Sequence, residues 1–241
     1  MSGVVKTHRL NEFVEYRPDE LEKIRAIIGP RHTLPAGQFI HRQGEPAKAV
    51  HFLEEGWAAS CVVRPDGRQQ ITKVHLPGDL LGSPSICVTE AADSLIAVTK
   101  LSIASIGHDA FMALFQTSPR IATGMFLSAQ RERVALMDML TVVGRGQALS
   151  RLSAFLVDLY DRLCAAGMVE DETFHLPLTQ ERIADHLGLT TVHTNRSIQA
   201  LRRSGLVEWK GHRIRILDVS GLRATGLVPK RRYVSNPPWL R

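Results

Sequence analysis

Between residues 20 and 108 the apolar positions come in short, often alternating runs. Glycine or proline breaks them at Pro35-Ala36-Gly37, Gln43-Gly44-Glu45-Pro46, Glu55-Gly56, Arg64-Pro65-Asp66-Gly67 and Leu76-Pro77-Gly78-Asp79. Turns need the fixed φ of proline or the positive φ that glycine tolerates, so this texture predicts an all-β domain of short strands. Val50–Leu53, Ala58–Val63, Gln70–Leu76 and Leu95–Ile106 have the length and β-branched content of strands. After His108 the period changes. Asp109–Phe115 is a compact helical pattern, and Pro119 opens a segment with no glycine from Met125 to Val143, which predicts one long helix. Along it Ile121, Met125, Ser128, Glu132, Ala135 and Met139 recur at three- and four-residue steps, with Leu136 and Val143 on a neighbouring line. Such a stripe packs either on its own domain or on a partner helix, and spacing alone does not choose.

Gly144-Arg145-Gly146 interrupts this pattern as a candidate hinge. Ala148–Ala165 follows as a second helix, with Leu149, Leu152, Phe155, Leu156, Leu159 and Leu163 on one broad apolar face. The expected organisation is a β domain over residues 1–118, the long helix over 119–143, a second domain over 144–219 and a basic tail over 220–241.

The most informative stretch is Leu178–Leu206, LTQERIADHLGLTTVHTNRSIQALRRSGL. Thr179 is placed to cap a helix whose first turn holds Glu181, and Ile183, Ala184 and Leu187 share one side of it. Gly188 supplies the left-handed residue that ends it. Thr190 then caps a second helix, with Thr194, Ile198 and Leu201 facing inward and Thr191, Val192, Asn195, Arg196 and Gln199 outward. A short capped helix, a glycine turn and a helix with a polar outer face form the arrangement that puts a recognition helix into a DNA major groove. Leu206–Trp209, the turn Lys210-Gly211-His212 and Arg213–Ile216 alternate as a hairpin would, which is the wing of a winged helix.

Composition narrows the classes. The 241 residues are 44% hydrophobic and 22% charged, with no apolar stretch long enough for a membrane span. Glu12 and Glu15 interrupt the N-terminal segment before a secretory leader develops, so the expected compartment is the cytoplasm. Cys61, Cys87 and Cys164 form no C-x-x-C and read as buried or free thiols. The net charge is +6, and between Thr179 and Ile216 seven cations face three carboxylates, which favours a polyanion. G-x-S-x-G, H-E-x-x-H, a phosphate loop and a cysteine metal cluster are all absent, which argues against an enzyme. The recognition helix lacks the stacking aromatics that single-stranded RNA would call for. A protein-interaction module without specific DNA binding is the rival reading of the helical head.

Thr179, Ile183, Ala184, Gly188, Thr190, Asn195-Arg196, Leu201 and Gly205-Leu206, with Gly37–Glu45, Leu53–Gly56, Pro77-Gly78-Asp79 and Gly82, resemble the Crp/Fnr superfamily of bacterial transcription regulators. The resemblance runs from about Leu21 to Asp218. It implies an α+β fold: a cyclic-nucleotide-binding-like β-roll (a double-stranded β-helix), a long dimerisation helix and a C-terminal winged helix-turn-helix. It also implies a homodimer on a two-fold symmetric site in double-stranded DNA, with RNA polymerase as a further partner. Arg196 aligns with the family's recognition arginine, whose guanidinium can pair with guanine O6 and N7. Thr191 and Val192 occupy base-reading positions where a methyl group would meet thymine. Thr179, Thr190 and His193 align with phosphate-touching positions, with Gln180 beside them.

The β-roll departs from the family pattern. Cyclic-nucleotide binders hold the phosphate with a Gly-Glu-Leu turn and an Arg-Ser or Arg-Thr pair eleven residues on, whereas this chain has Gly82-Ser83-Pro84 and Asp93-Ser94. A carboxylate in place of the arginine repels an anion by about 1 kcal/mol or more at ~4 Å. Cyclic AMP binding in the usual mode is therefore not expected, and the effector, if any, is unnamed. No cysteine precedes Cys61 to hold an iron-sulfur cluster. His41, His51 and His75 are the histidines a haem would draw on, though a lone histidine in a β domain is ordinarily a core or surface residue. No cofactor is expected. A redox role for Cys61 or Cys87 would need exposure and a depressed pKa.

Overall fold

The computed structural model describes residues 12–64, 67 and 69–240. The N-terminal segment read for a leader lies largely outside these residues, as do Pro65 and Asp66 of one expected turn and Arg241 of the tail. By its internal contacts the chain divides into two compact units. One runs to Arg131 and takes in the stretch from Arg232 onward, and the other spans Glu132–Arg231.

The N-terminal unit opens with α1 (Pro18–Ile27), a helix where the expected β texture begins at residue 20. Its start signals are local: Pro18 sits at the first helical position, Asp19 and Glu20 fill the first turn, and the Glu20 carboxylate accepts a 2.9 Å hydrogen bond from the Arg17 N–H. Eight strands follow: β1 (Arg31–Leu34), β2 (Phe39–His41), β3 (Ala49–Glu55), β4 (Ala58–Val63), β5 (Gln69–His75), β6 (Leu80–Leu81), β7 (Ser94–Ala97) and β8 (Leu101–Gly107). They form two antiparallel four-stranded sheets, ordered β1-β8-β3-β6 and β2-β7-β4-β5. The run expected as one strand from Leu95 to Ile106 is two, because the chain changes sheet between β7 and β8. There the Val98 N–H donates to the Trp57 carbonyl at 2.8 Å.

Leu34, Leu53, Leu81, Leu95, Leu101 and Ile103 make one buried cluster of this β-roll. A second joins Val50, Phe52 and Ile106 to Ile24 of α1, Phe111 and Leu114 of α2 (His108–Thr117), and Ile121 and Met125 at the start of α3 (Pro119–Arg145). Ile121 and Met125 therefore serve their own unit's core, which corrects their expected place on a partner-facing stripe. The exposed line on α3 is Phe126, Ala129, Arg133, Leu136, Met137 and Leu140.

The C-terminal stretch also belongs to this unit. The Asn236 N–H donates to the Phe13 carbonyl at 2.9 Å, and its side-chain oxygen accepts from the Glu15 N–H at 2.7 Å. The Tyr233 ring meets Phe13 edge-on at 6.1 Å and lies 5.3 Å from the Arg131 guanidinium.

In the C-terminal unit, α3 runs through Gly144 to Arg145, so the expected hinge shrinks to Gly146-Gln147 before α4 (Ala148–Ala165). A side chain at Gly146 would overlap the Val142 carbonyl, which explains glycine there. Leu152, Phe155, Leu156, Leu159 and Leu163 of α4 are buried as expected, and Ser153, Ala154 and Val157 are buried too, so α4 is the unit's central helix. Around it stand α5 (Gln180–Leu187), α6 (Thr191–Arg203) and α7 (Val219–Thr225). Strands β9 (Thr173–His175), β10 (Val207–Lys210) and β11 (Arg213–Ile216) form a sheet ordered β10-β11-β9. The wing hairpin is thus present, with a third strand that the pattern did not reveal. The tail expected from Ser220 begins inside α7, where Leu222 is buried and Arg223 pairs with Asp161 at 2.8 and 2.9 Å.

Candidate nucleic-acid interface

Local chemistry sets both helices of the head. Thr179 Oγ accepts from the Arg182 N–H and Thr190 Oγ from the His193 N–H, each at 3.2 Å, so each threonine answers an N-terminal donor that has no partner within its helix. Gly188 ends α5 at φ 62° and ψ 39°, a left-handed conformation that costs an L side chain about 1–2 kcal/mol. Ile183, Ala184 and Leu187 of α5 and Thr194, Ile198 and Leu201 of α6 are buried. That packing leaves Thr191, Val192, His193, Asn195 and Arg196 exposed on α6, and Thr179 and Gln180 exposed at the start of α5. Gln199 is half-buried, with its side-chain oxygen accepting a 3.2 Å hydrogen bond from Arg202.

Two of these residues act together. Asn195 Nδ2 donates to Gln180 Oε1 at 3.0 Å, joining the outer face of α6 to the first turn of α5. Arg196 is exposed and makes no hydrogen bond or ion pair with the described residues, so its planar donor fork is available to an external acceptor. The head's cations do not all share one face. Lys210, Arg213 and Arg215 line a cleft on the wing sheet together with Asp171, Glu172 and Glu208, a balanced set. Arg182, Arg196, Arg202 and Arg203 on the two helices carry the surplus positive charge.

In the β-roll, Gly82 takes φ 77° ahead of a 3₁₀ turn, Ser83–Cys87, which includes Pro84. Ser94 is buried at the start of β7, and its hydroxyl accepts from the Gln43 N–H at 2.9 Å. Asp93 is buried, 3.6 Å from His41 Nε2, too long for a hydrogen bond but close enough for an ion pair once the imidazole is protonated. Burial pushes the Asp93 carboxyl up. The closeness of His41 and Ser60, with the His41 and His75 charges, outweighs burial and holds it below the usual carboxylate range. Ser60 Oγ lies 2.8 Å from His75 Nε2, and the Leu76 N–H donates to Asp79 at 3.1 Å. At the expected phosphate position Asp93 and Ser94 thus face groups of the roll itself, His41 and the Gln43 N–H, while Ser83 and Pro84 are exposed. His51 Nδ1 is 2.9 Å from Ser105 Oγ, so His41, His51 and His75 each have a neighbour in the fold. Cys61 is buried, whereas Cys87 is exposed and its thiol donates to the Pro84 carbonyl.

A two-sheet β-roll, a long helix and a capped helix-turn-helix beside a wing define a DNA-binding transcription regulator with a ligand-binding-type N-terminal unit. Residues 31–118 match the cyclic nucleotide-binding domain and residues 150–225 the Crp-like helix-turn-helix domain. The chain is 32% identical over 203 residues to the transcriptional activatory protein AadR of Rhodopseudomonas palustris, covering 83% of this chain and 81% of that protein. It is 28% identical over 200 residues to electron transport regulator A of Shewanella oneidensis, covering 83% and 80%. Among solved structures, FixK2 from Bradyrhizobium japonicum superposes with a TM-score of 0.74 at 22% identity, covering 84% of this chain and 98% of that one.

The chain belongs to the Crp/Fnr family of transcription regulators. Sequence-specific DNA binding is therefore its function, in preference to a protein-interaction module, and the family is made up of regulators rather than enzymes. No helix is long and apolar enough to cross a membrane among the described residues.

Proposed function

We propose that the protein binds a two-fold symmetric operator as a homodimer, reading each half-site with α6. The observation that carries this is Arg196, exposed and without a partner among the described residues, on a recognition helix whose inner face is packed. Its guanidinium pairs with guanine O6 and N7, Thr191 and Val192 meet base-edge methyl groups, and Thr179, Thr190 and His193 lie against phosphate. Gln180 and Asn195 hold the two helices in register. Self-association is supported by α3, where Phe126, Leu136, Met137 and Leu140 are 58–73% exposed along one line of a helix.

The β-roll does not take cyclic AMP in the usual mode, because Gly82, Ser83, Pro84, Asp93 and Ser94 offer a carboxylate where an anion needs a cation. RNA polymerase is the further partner and the cytoplasm the compartment that family membership suggests. The deciding experiment is selection of duplex DNA from a random pool, repeated with Arg196→Ala. An inverted repeat that the variant no longer enriches supports the reading, and enrichment unchanged by the substitution refutes the role of Arg196.

A further inference from the structure

Arg151 stands on the first turn of α4, half-buried, two turns before the helix's other charged residues, Asp158, Asp161 and Arg162. Its guanidinium donates to three backbone carbonyls on three different segments: Val143 in the last turn of α3 at 2.8 Å, Gly146 in the linker at 3.2 Å and Leu187 at the end of α5 at 3.2 Å. Two of these carbonyls belong to the last turns of helices, which have no acceptor role left inside the helix and carry the negative end of its dipole. One planar cation therefore caps α3 and α5 together and joins both to α4. The glycines beside it serve the same junction. Gly146 lets the chain turn against the Val142 carbonyl, and Gly188 follows Leu187 in the left-handed conformation, where a side chain would come into contact with Arg151 Nη1. All of these groups lie within the C-terminal unit.

We infer that Arg151 is a positioning residue for DNA reading: it fixes the angle between the end of α3 and the α5–α6 pair, and so sets the half-site spacing the protein accepts. The inference rests on the two-fold reading above. In a dimer joined through α3, the direction in which each head leaves that helix determines how far apart the two copies of α6 lie, and half-site separation mirrors that distance. A guanidinium is suited to the task because its donors radiate in one plane toward three acceptors, a geometry an ammonium does not reproduce.

The test compares wild type, Arg151→Lys and Arg151→Met on the selected inverted repeat, on repeats with the spacer lengthened or shortened by one and two base pairs, and on a single half-site. Circular dichroism and thermal melting establish folding. The expected result is that wild type prefers its own spacing by about tenfold or more, while Arg151→Met lowers that preference by about fivefold with half-site affinity within about twofold. Arg151→Lys, which keeps the charge, is expected to lose part of the preference, and it carries the test if the Met variant does not fold. Retention of the full spacing preference by the variants, with affinity lowered equally on every duplex or not at all, overturns the latch. A wild type that binds the repeat no better than the half-site refutes the two-fold reading and removes the basis of the latch with it.

Discussion

The N-terminal unit is predicted to lose stability on mild acidification, and His51 is the residue to test. It sits on β3 opposite Ser105 of β8 and Leu81 of β6, with Nδ1 against the Ser105 hydroxyl. Burial, followed by the neighbouring imidazoles His41, His32 and His108, pushes its pKa down from 6.5 to about 4. Between those values the unfolded chain binds a proton that the folded chain refuses. Stability therefore falls as pH falls, by about 1.4 kcal/mol per pH unit and about 3 kcal/mol in all. Above pH ~6.5 both states are neutral here and the contribution vanishes. His51→Gln keeps a polar partner for Ser105 and removes the titration. Urea unfolding followed by fluorescence, with Trp57 buried in the same unit, should give similar stabilities for wild type and variant at pH ~7.5. At pH ~4.5 the variant should be the more stable by roughly 2–3 kcal/mol. Two stability curves that run parallel from pH ~7.5 to 4.5 would refute the argument.

Gly188→Ala should lower stability by about 1–2 kcal/mol, read from thermal unfolding, and Gly188→Asn by less, since asparagine visits the left-handed region more readily; equal melting of all three proteins would contradict the assignment of Gly188 as the turn. Truncation after Val228 removes the Asn236 hydrogen bonds and Tyr233, and should destabilise the N-terminal unit by about 1–2 kcal/mol. The same truncation removes Lys230 and Arg232 as well as Arg231, which pairs with Asp138, and should leave the salt dependence of DNA binding unchanged to within about one ion where the tail lies off the DNA. A flatter slope would instead place the tail on phosphate. Titration calorimetry with cyclic AMP should show no saturable heat, and tight stoichiometric binding lost on substitution of Ser83 or Asp93 would overturn the reading of the β-roll.

The sequence by itself determined what is encoded locally. Helix starts at Thr179 and Thr190, the stop at Gly188 and the inner face of α6 follow from capping chemistry and a 3.6-residue period. They act within one or two turns of chain, so no distant residue is needed to see them. The β texture is legible for the same reason, through its glycine and proline turns, and α1 carries comparable local signals in Pro18, Asp19 and Glu20, at the edge of a region whose texture predicts strands. Tertiary structure alone decided the rest. That β7 and β8 belong to different sheets depends on pairings with partners dozens of residues away. Whether Ile121 and Met125 or Phe126 face outward depends on which side of the start of α3 the β-roll covers, and periodicity fixes a stripe without fixing its neighbour. Asp93 gains its meaning only beside His41 and Ser60, and Arg151, one cation among the charged residues of an amphipathic helix, gains its own only where the ends of α3 and α5 converge. Hydrogen-bonding and charge interactions of this kind are set by distance in space, which a linear pattern does not contain.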